Sequence, residues 1–194
     1  MKITALDKRQ DLFSIENAIS QDLLVELSKE PLQDLPFTKM EWQDWCPRRK
    51  LAQMPDSTLS HIHEYINNQK EIIGNAIDCK VRYIDTAFWL DQEGFDFDFH
   101  IDNPGVSKAM QIYLSDCPKA GTVFCNVNDE DVDVRDDEQR WHYKGPNPPT
   151  DIRKEFDFKT NTGYLMINSK IQLHGVPYKL GKDDVRLSVY CWIN

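Results

Sequence analysis

From Phe95 to Asp102 the chain alternates without a slip, FDFDFHID within GFDFDFHIDNP. Phe95, Phe97, Phe99 and Ile101 fall on one side of such a segment. Asp96, Asp98, His100 and Asp102 fall on the other. A two-residue period is that of a β-strand with an apolar face and a polar face. Such a strand belongs in a sheet with one side against a core. Its polar side is not the mixed set of a solvated strand, because it carries three carboxylates and one imidazole in a row.

The rest of the chain shows what sheet this strand could join. From about Cys79 onward the sequence breaks into short β runs: VRYIDTAFWL, FDFDFHI, AMQIYLS, GTVFCNV, TGYLMIN, IQLHGVP and VRLSVYCWI. Gly, Pro, Asn and Asp clusters separate them. Seven or so short strands point to a sandwich or barrel. The first third reads as helical. Ile15, Ala18, Ile19, Leu23, Leu24 and Leu27 recur at helical spacing, and Leu59, Ile62, Ile66, Ile73 and Ile77 follow Ser57, a candidate N-cap. Between them, residues 31–50 are rich in Pro and Trp and read as a loop or short irregular strands. Residues 128–155, acidic first and Pro-rich later, read as an exposed insertion loop over the barrel. With 194 residues, the expectation is one domain: helical support over 1–78 and a β core over 79–194.

A formal net charge of −9 argues against a large nucleic-acid footprint, which needs a basic surface. The opening MKITALDKRQDLF has no apolar run of signal-peptide length, and no stretch is long enough to span a bilayer. Five cysteines without CxxC spacing fit a reduced, cytoplasmic protein.

The five histidines are not equivalent. His61 and His63, two apart on a helix, point to different faces and cannot easily share a metal. His142 lies in the insertion. His100 and Asp102 share one face of a strand, so both can reach one small ion. His174 sits inside a second apolar strand, IQLHGVP. Two histidines and a carboxylate form the facial set that suits Fe(II) and leaves coordination positions open. Arg186, in the apolar strand VRLSVYCWI, is costly to bury without an anionic partner. The turn LGKDD brings it to a height similar to that of His174. A carboxylate held bidentately by Arg186 could therefore belong to a small molecule whose other end binds the metal. Ser188 faces the same way and adds a hydroxyl. A local Asp is the alternative partner for Arg186.

In order and spacing, HxD, a distal His and R-x-S resemble the Fe(II)/2-oxoglutarate-dependent dioxygenases, whose core is a double-stranded β-helix, or jelly roll. HIDNP followed by QIYLSD, the turn KAGTVF, and RLSVYCWIN at the end are similar to the prolyl 4-hydroxylase-like branch. The likeness spans about residues 80–194. It implies Fe(II) bound by His100, Asp102 and His174 as the catalytic centre, with 2-oxoglutarate as cosubstrate and O2 as oxidant. It also implies that Tyr113 joins Arg186 and Ser188 on the distal carboxylate and that Trp192 walls the pocket near the metal. Asp102 stands where halogenating relatives have a small residue, so hydroxylation is the expected outcome. Leu90 stands where relatives place a second Tyr on the cosubstrate. The expected substrate is a protein, peptide or amino acid, with a prolyl or other amino-acid side chain hydroxylated.

Asp96 and Asp98 either extend the polar face toward the pocket mouth, where they could orient substrate, or simply open to water. Within the insertion, read as a lid, Trp141, His142 and Tyr143 are the candidate substrate contacts. Its acidic run lacks the glycine and spacing of a calcium loop. Two other readings remain in view. One is a non-catalytic jelly roll that binds metal or ligand. The other is a nucleic-acid-modifying oxygenase, which the negative charge and Trp192, in place of a second Arg, disfavour.

Overall fold

Two antiparallel sheets lie face to face and close around a cluster of aromatic and apolar side chains. The computed structural model describes residues 1–30, 35, 37–38, 49–52, 57–135, 140–146 and 148–194. In chain order the strands are β1 (Lys2–Ala5), β2 (Leu12–Glu16), β3 (Phe37–Thr38), β4 (Arg49–Ala52), β5 (Ile84–Asp91), β6 (Phe97–His100) and β7 (Lys108–Tyr113). There follow β8 (Val123–Cys125), β9 (Val132–Arg135), β10 (Arg140–Tyr143), β11 (Ile152–Glu155), β12 (Thr162–Ile167), β13 (Leu173–Val176) and β14 (Arg186–Ile193). The helices are α1 (Gln21–Lys29), α2 (Thr58–Asn67) and α3 (Lys70–Ala76). The large sheet runs β1-β2-β12-β7-β14-β5-β4-β3, and the small sheet runs β11-β8-β13-β6. From β5 to β14 the core strands alternate between the two sheets, except that β8 and β11 pair within the small sheet, and this arrangement is a double-stranded β-helix.

The outer face of the large sheet is mainly apolar. Phe88, Leu90, Ile112, Leu165, Leu187, Val189 and Cys191 pack there against Leu59, Ile62, Ile66 and Ile73 of α2 and α3. The helices thus buttress the sheet, as their periodicity requires. Leu90 belongs to this outer core, so it stands outside the pocket; Trp89 and Asp91 are its inward neighbours on β5.

The first helix begins later than its apolar spacing predicts. Leu12–Glu16 is a strand, and the helix starts at Gln21. Asp7 closes the β1–β2 turn by accepting the Arg9 N–H at 2.9 Å, and Gln10 takes a left-handed φ of 52°. The hairpin then adds to the edge of β12, so pairing overrides the weak helical pattern. Residues 1–78 therefore supply four strands as well as helices. Ser57 occupies the N-cap of α2, but its hydroxyl makes no cap bond. Glu30 accepts the Thr58 N–H in its place at 3.3 Å. Most of the Pro- and Trp-rich stretch 31–50 lies outside the described residues; β3 and the start of β4 are the described parts of it.

The described part of the insertion is largely strand rather than loop. β9 and β10 form a hairpin, and Val132, Trp141 and Tyr143 pack on Ile101, Val123, Cys125 and Leu173, on the outer face of the small sheet.

Candidate metal centre and anion pocket

The strand carrying His100 does not keep the strict alternation of its sequence. His174 pairs with His100 and Val176 pairs with Phe97, so two steps on β13 match three on β6. That extra residue is a β-bulge. Gly175 faces it, and a Cβ there would lie 3.0 Å from the Phe97 oxygen and the Phe99 backbone. The bulge splits the four apolar residues. Phe95 and Phe97 turn into the barrel, while Phe99 and Ile101 face the hairpin outside. His100 turns inward with Phe97, and their rings meet edge-on at 4.4 Å. Asp96 and Asp98 are exposed. They do not extend an inner polar face, which corrects the alternation-based expectation.

The bulge and the register bring three ligand groups together. The candidate ligand atoms of His100, Asp102 and His174 all lie within 4.8 Å of one another. His100 Nδ1 bonds the Asp98 carbonyl at 2.9 Å. His174 Nδ1 bonds the Gln172 carbonyl at 2.9 Å. Since a carbonyl only accepts, both Nδ1 atoms carry the proton, and both Nε2 lone pairs face Asp102. Asp102 Oδ1 lies 3.4 Å from His100 Nε2 and 3.8 Å from His174 Nε2. Burial, with the nearby His100, lowers the His174 pKa to about 4, so the imidazole is neutral at pH 7. Burial pushes the Asp102 carboxyl up, but its imidazole neighbours and the Tyr190 hydroxyl outweigh it and hold the carboxyl well below its usual range. Two imidazoles and one carboxylate are the donor set of a divalent transition metal.

Sequence reasoning missed Tyr190. Its hydroxyl donates to Asp102 Oδ2 at 2.6 Å, which occupies one carboxylate oxygen and leaves Oδ1 facing the histidines. The signal was present, because residues 186, 188, 190 and 192 share a strand face. Trp192 packs edge-on to Tyr190 at 5.0 Å.

Arg186 is fully buried on the same face. Its guanidinium carbon lies 4.5 Å from the Phe158 ring centroid and 5.2 Å from that of Phe95. Nη1 donates to Asp91 at 3.1 Å. Nε and Nη2, the side-on pair of donors, are buried without a hydrogen-bond partner. Asp91 itself is held by Arg49 through Nε at 2.7 Å and Nη2 at 3.0 Å. The local-Asp alternative is therefore half true: Asp91 takes one corner of Arg186 and leaves its bidentate edge open. Burial pulls the Arg186 pKa down from its ordinary value, against the raising effect of Asp91. A buried donor edge left unmade is costly, and a carboxylate is the group that fits it.

Tyr113 and Ser188 are engaged within the protein. The Tyr113 hydroxyl donates to Thr122 Oγ1 at 3.1 Å, and its ring stacks on Phe158 at 4.2 Å. Ser188 Oγ accepts from Gln111 at 3.0 Å. Thr122 in turn donates to Gln111 Oε1 at 3.4 Å. Gln111 and Thr122 are buried polar residues, and they join the two predicted residues in one network beside Arg186. Trp141 and Tyr143 lie across the small sheet from the His174 ring, so they do not face the metal centre; the His142 side chain is outside the described residues. His61 bonds Glu26 and His63 bonds Thr86, each at 2.8 Å and remote from one another's partners.

Solved structures with the same fold bear on this site. HygX from Streptomyces hygroscopicus, with nickel and 2-oxoglutarate bound, is 12% identical over 96% of this chain and 87% of its own, with a TM-score of 0.61. A prolyl-4-hydroxylase of Pseudomonas putida is 10% identical over 95% and 92%, with a TM-score of 0.59. The non-heme α-ketoglutarate-dependent carbocyclase SnoK of nogalamycin biosynthesis is 13% identical over 96% and 81%, with a TM-score of 0.62. No protein-family model matches the sequence, and no curated protein does. At such identities the likeness establishes the fold: a double-stranded β-helix of the kind found in iron- and 2-oxoglutarate-dependent oxygenases.

Proposed function

We propose that the protein is an Fe(II)- and 2-oxoglutarate-dependent oxygenase that hydroxylates an organic substrate. One observation carries this reading. A buried arginine with an open bidentate edge shares an inner strand face with Tyr190, which holds the carboxylate of a two-histidine, one-aspartate cluster. A structural ion pair would close the arginine's edge, and an inert barrel has no use for two proton-fixed imidazoles aimed at one carboxylate.

His100, Asp102 and His174 would hold the metal through Nε2, Oδ1 and Nε2. When bound, iron supplies oxygen activation, with 2-oxoglutarate as the electron source. Arg186 anchors the distal carboxylate of the cosubstrate in the plane that Phe158 and Phe95 define. Ser188 and Tyr113, with Thr122, complete a polar wall there. Tyr190 keeps Asp102 oriented, and Trp192 limits access to the metal end. Phe97 packs on the His100 ring and Phe124 on the His174 ring, which holds both imidazoles in place.

The HIDNP and QIYLSD motifs support an amino-acid side chain, prolyl included, as the group hydroxylated. HygX has also been solved with hygromycin B bound, which supports a small natural product as the second substrate class. The buried cysteines Cys117, Cys125 and Cys191 are free, in keeping with a cytoplasmic location.

The test is anaerobic addition of Fe(II) and 2-oxoglutarate to metal-free protein. A visible charge-transfer band, lost in Arg186→Ala and in His174→Ala, is the expected result. Folded, iron-loaded protein without a band would overturn the reading. Succinate release then screens prolyl peptides against aminoglycoside-like compounds.

A further inference from the structure

Asp91 is fully buried between two guanidiniums, and they use it unequally. Arg49 grips both oxygens through its side-on edge, at 2.7 and 3.0 Å. Arg186 touches one oxygen through a single corner, at 3.1 Å. The Phe95 ring lies against both cations, 4.8 Å from Arg49 Cζ and 5.2 Å from Arg186 Cζ. Trp89 adds a second ring beside Arg49, at 5.0 Å. Arg186 is left with a buried side-on edge, its Nε and Nη2 without a hydrogen-bond partner.

We propose that Arg49 is a positioning residue for the cosubstrate: by occupying Asp91 it keeps the bidentate edge of Arg186 available to a ligand carboxylate. This rests on the reading of Arg186 as the 2-oxoglutarate anchor. The physical argument is competition for one fork. Side-on pairing with a carboxylate is the strongest geometry a guanidinium has. Without Arg49, Asp91 is a buried anion whose nearest cation is Arg186, and the favoured arrangement is for Arg186 to close on it. The site then has no donor edge to offer. With Arg49 gripping both Asp91 oxygens, the side-on edge of Arg186 stays open to one terminal carboxylate. Arg49 lies on β4, in the N-terminal third that otherwise serves as a buttress, so recognition of the anion is shared between the barrel and its flanking segment.

The experiment measures 2-oxoglutarate binding by the charge-transfer band in iron-loaded, oxygen-free full-length protein. It compares wild type, Arg49→Gln, Asp91→Asn and the double variant. 2-Oxopentanoate, which keeps the chelating end and lacks the distal carboxylate, is the control ligand. Arg49→Gln is expected to weaken 2-oxoglutarate binding about 10- to 100-fold, the scale of a lost charge-assisted bidentate contact. It should leave 2-oxopentanoate binding unchanged. The double variant, which removes cation and competing anion together, should recover affinity to within about threefold of wild type, since the two changes are coupled. Arg49→Gln binding 2-oxoglutarate as wild type does would overturn the inference alone. So would a folded double variant no better than the single one. If Arg49→Gln does not fold, the charge-balanced double variant is decisive by itself: tight binding supports the inference and loss of binding sinks it. No band in wild type removes the anchor reading, and this inference with it.

Discussion

The two faces of β14 follow opposite rules. Outward, Leu187, Val189, Cys191 and Ile193 are at most 2% exposed and pack on the helices. Each such aliphatic side chain contributes about 1.5–3 kcal/mol of burial energy. Inward, the alternate residues are Arg186, Ser188, Tyr190 and Trp192. Arg186 is as buried as its neighbours, yet it leaves two donors unmade, each costing about 1–3 kcal/mol. The outer face accounts for why the strand sits at the middle of the sheet. The inner face lowers stability and is explained by what it can bind.

That contrast can be broken by experiment. The largest effect is expected outside: Val189→Asp puts an unpaired charge into the helix–sheet core and should cost about 4 kcal/mol or more. Urea denaturation or loss of soluble protein would report it. The next effect is on pH. The folded pKa of His174 lies at about 4, below the unfolded value, so the unfolded chain takes the proton first. Stability of metal-free protein should be level above pH 7 and fall by about 3 kcal/mol between pH 6.5 and 4. His174→Leu should flatten that slope in chelator-treated samples. Third, Arg186→Met should weaken 2-oxoglutarate binding about 100-fold, while the melting temperature is not lowered, because Asp91 keeps Arg49. A large drop in melting temperature would mean that the inner face is structural after all. Smallest, Tyr190→Phe should weaken Ni(II) or Co(II) binding about 10-fold through release of Asp102, the usual scale for a lost ligand-orienting bond. Calorimetric titration would show it.

His174 and Arg186 were legible in the sequence because each lies in a short apolar strand, where a buried ionisable group demands a reason, and His100 and Asp102 because of their HxD spacing and the resemblance it carries. The double-stranded β-helix was legible from the run of short strands and the resemblance they carry. Arg49 and Asp91 were not, since their pairing spans 42 residues and depends on β4 joining β5, which no local pattern announces. The β1–β2 hairpin was hidden by Ile15, Ala18 and Ile19, whose spacing suits a helix as well as the strand and turn they form. The alternation of FDFDFHID was misleading because strict period two assumes an unbroken ladder, and the hairpin on the outer face gives Phe99 and Ile101 somewhere apolar to go.

The bulge on β6 has a consequence for changes in chain length. Phe97 and His100 are an odd number of steps apart and still face the same way. In a regular ladder only an even separation does that, so one surplus residue is absorbed there. Removing Asp98, which is exposed and serves His100 through its carbonyl alone, restores even parity and leaves the imidazole and Phe97 on the barrel side. Adding one residue at the same place gives the ladder two surplus residues to absorb. Loss and gain of a single codon at this position are therefore unequal events, and the strand tolerates shortening where it resists growth.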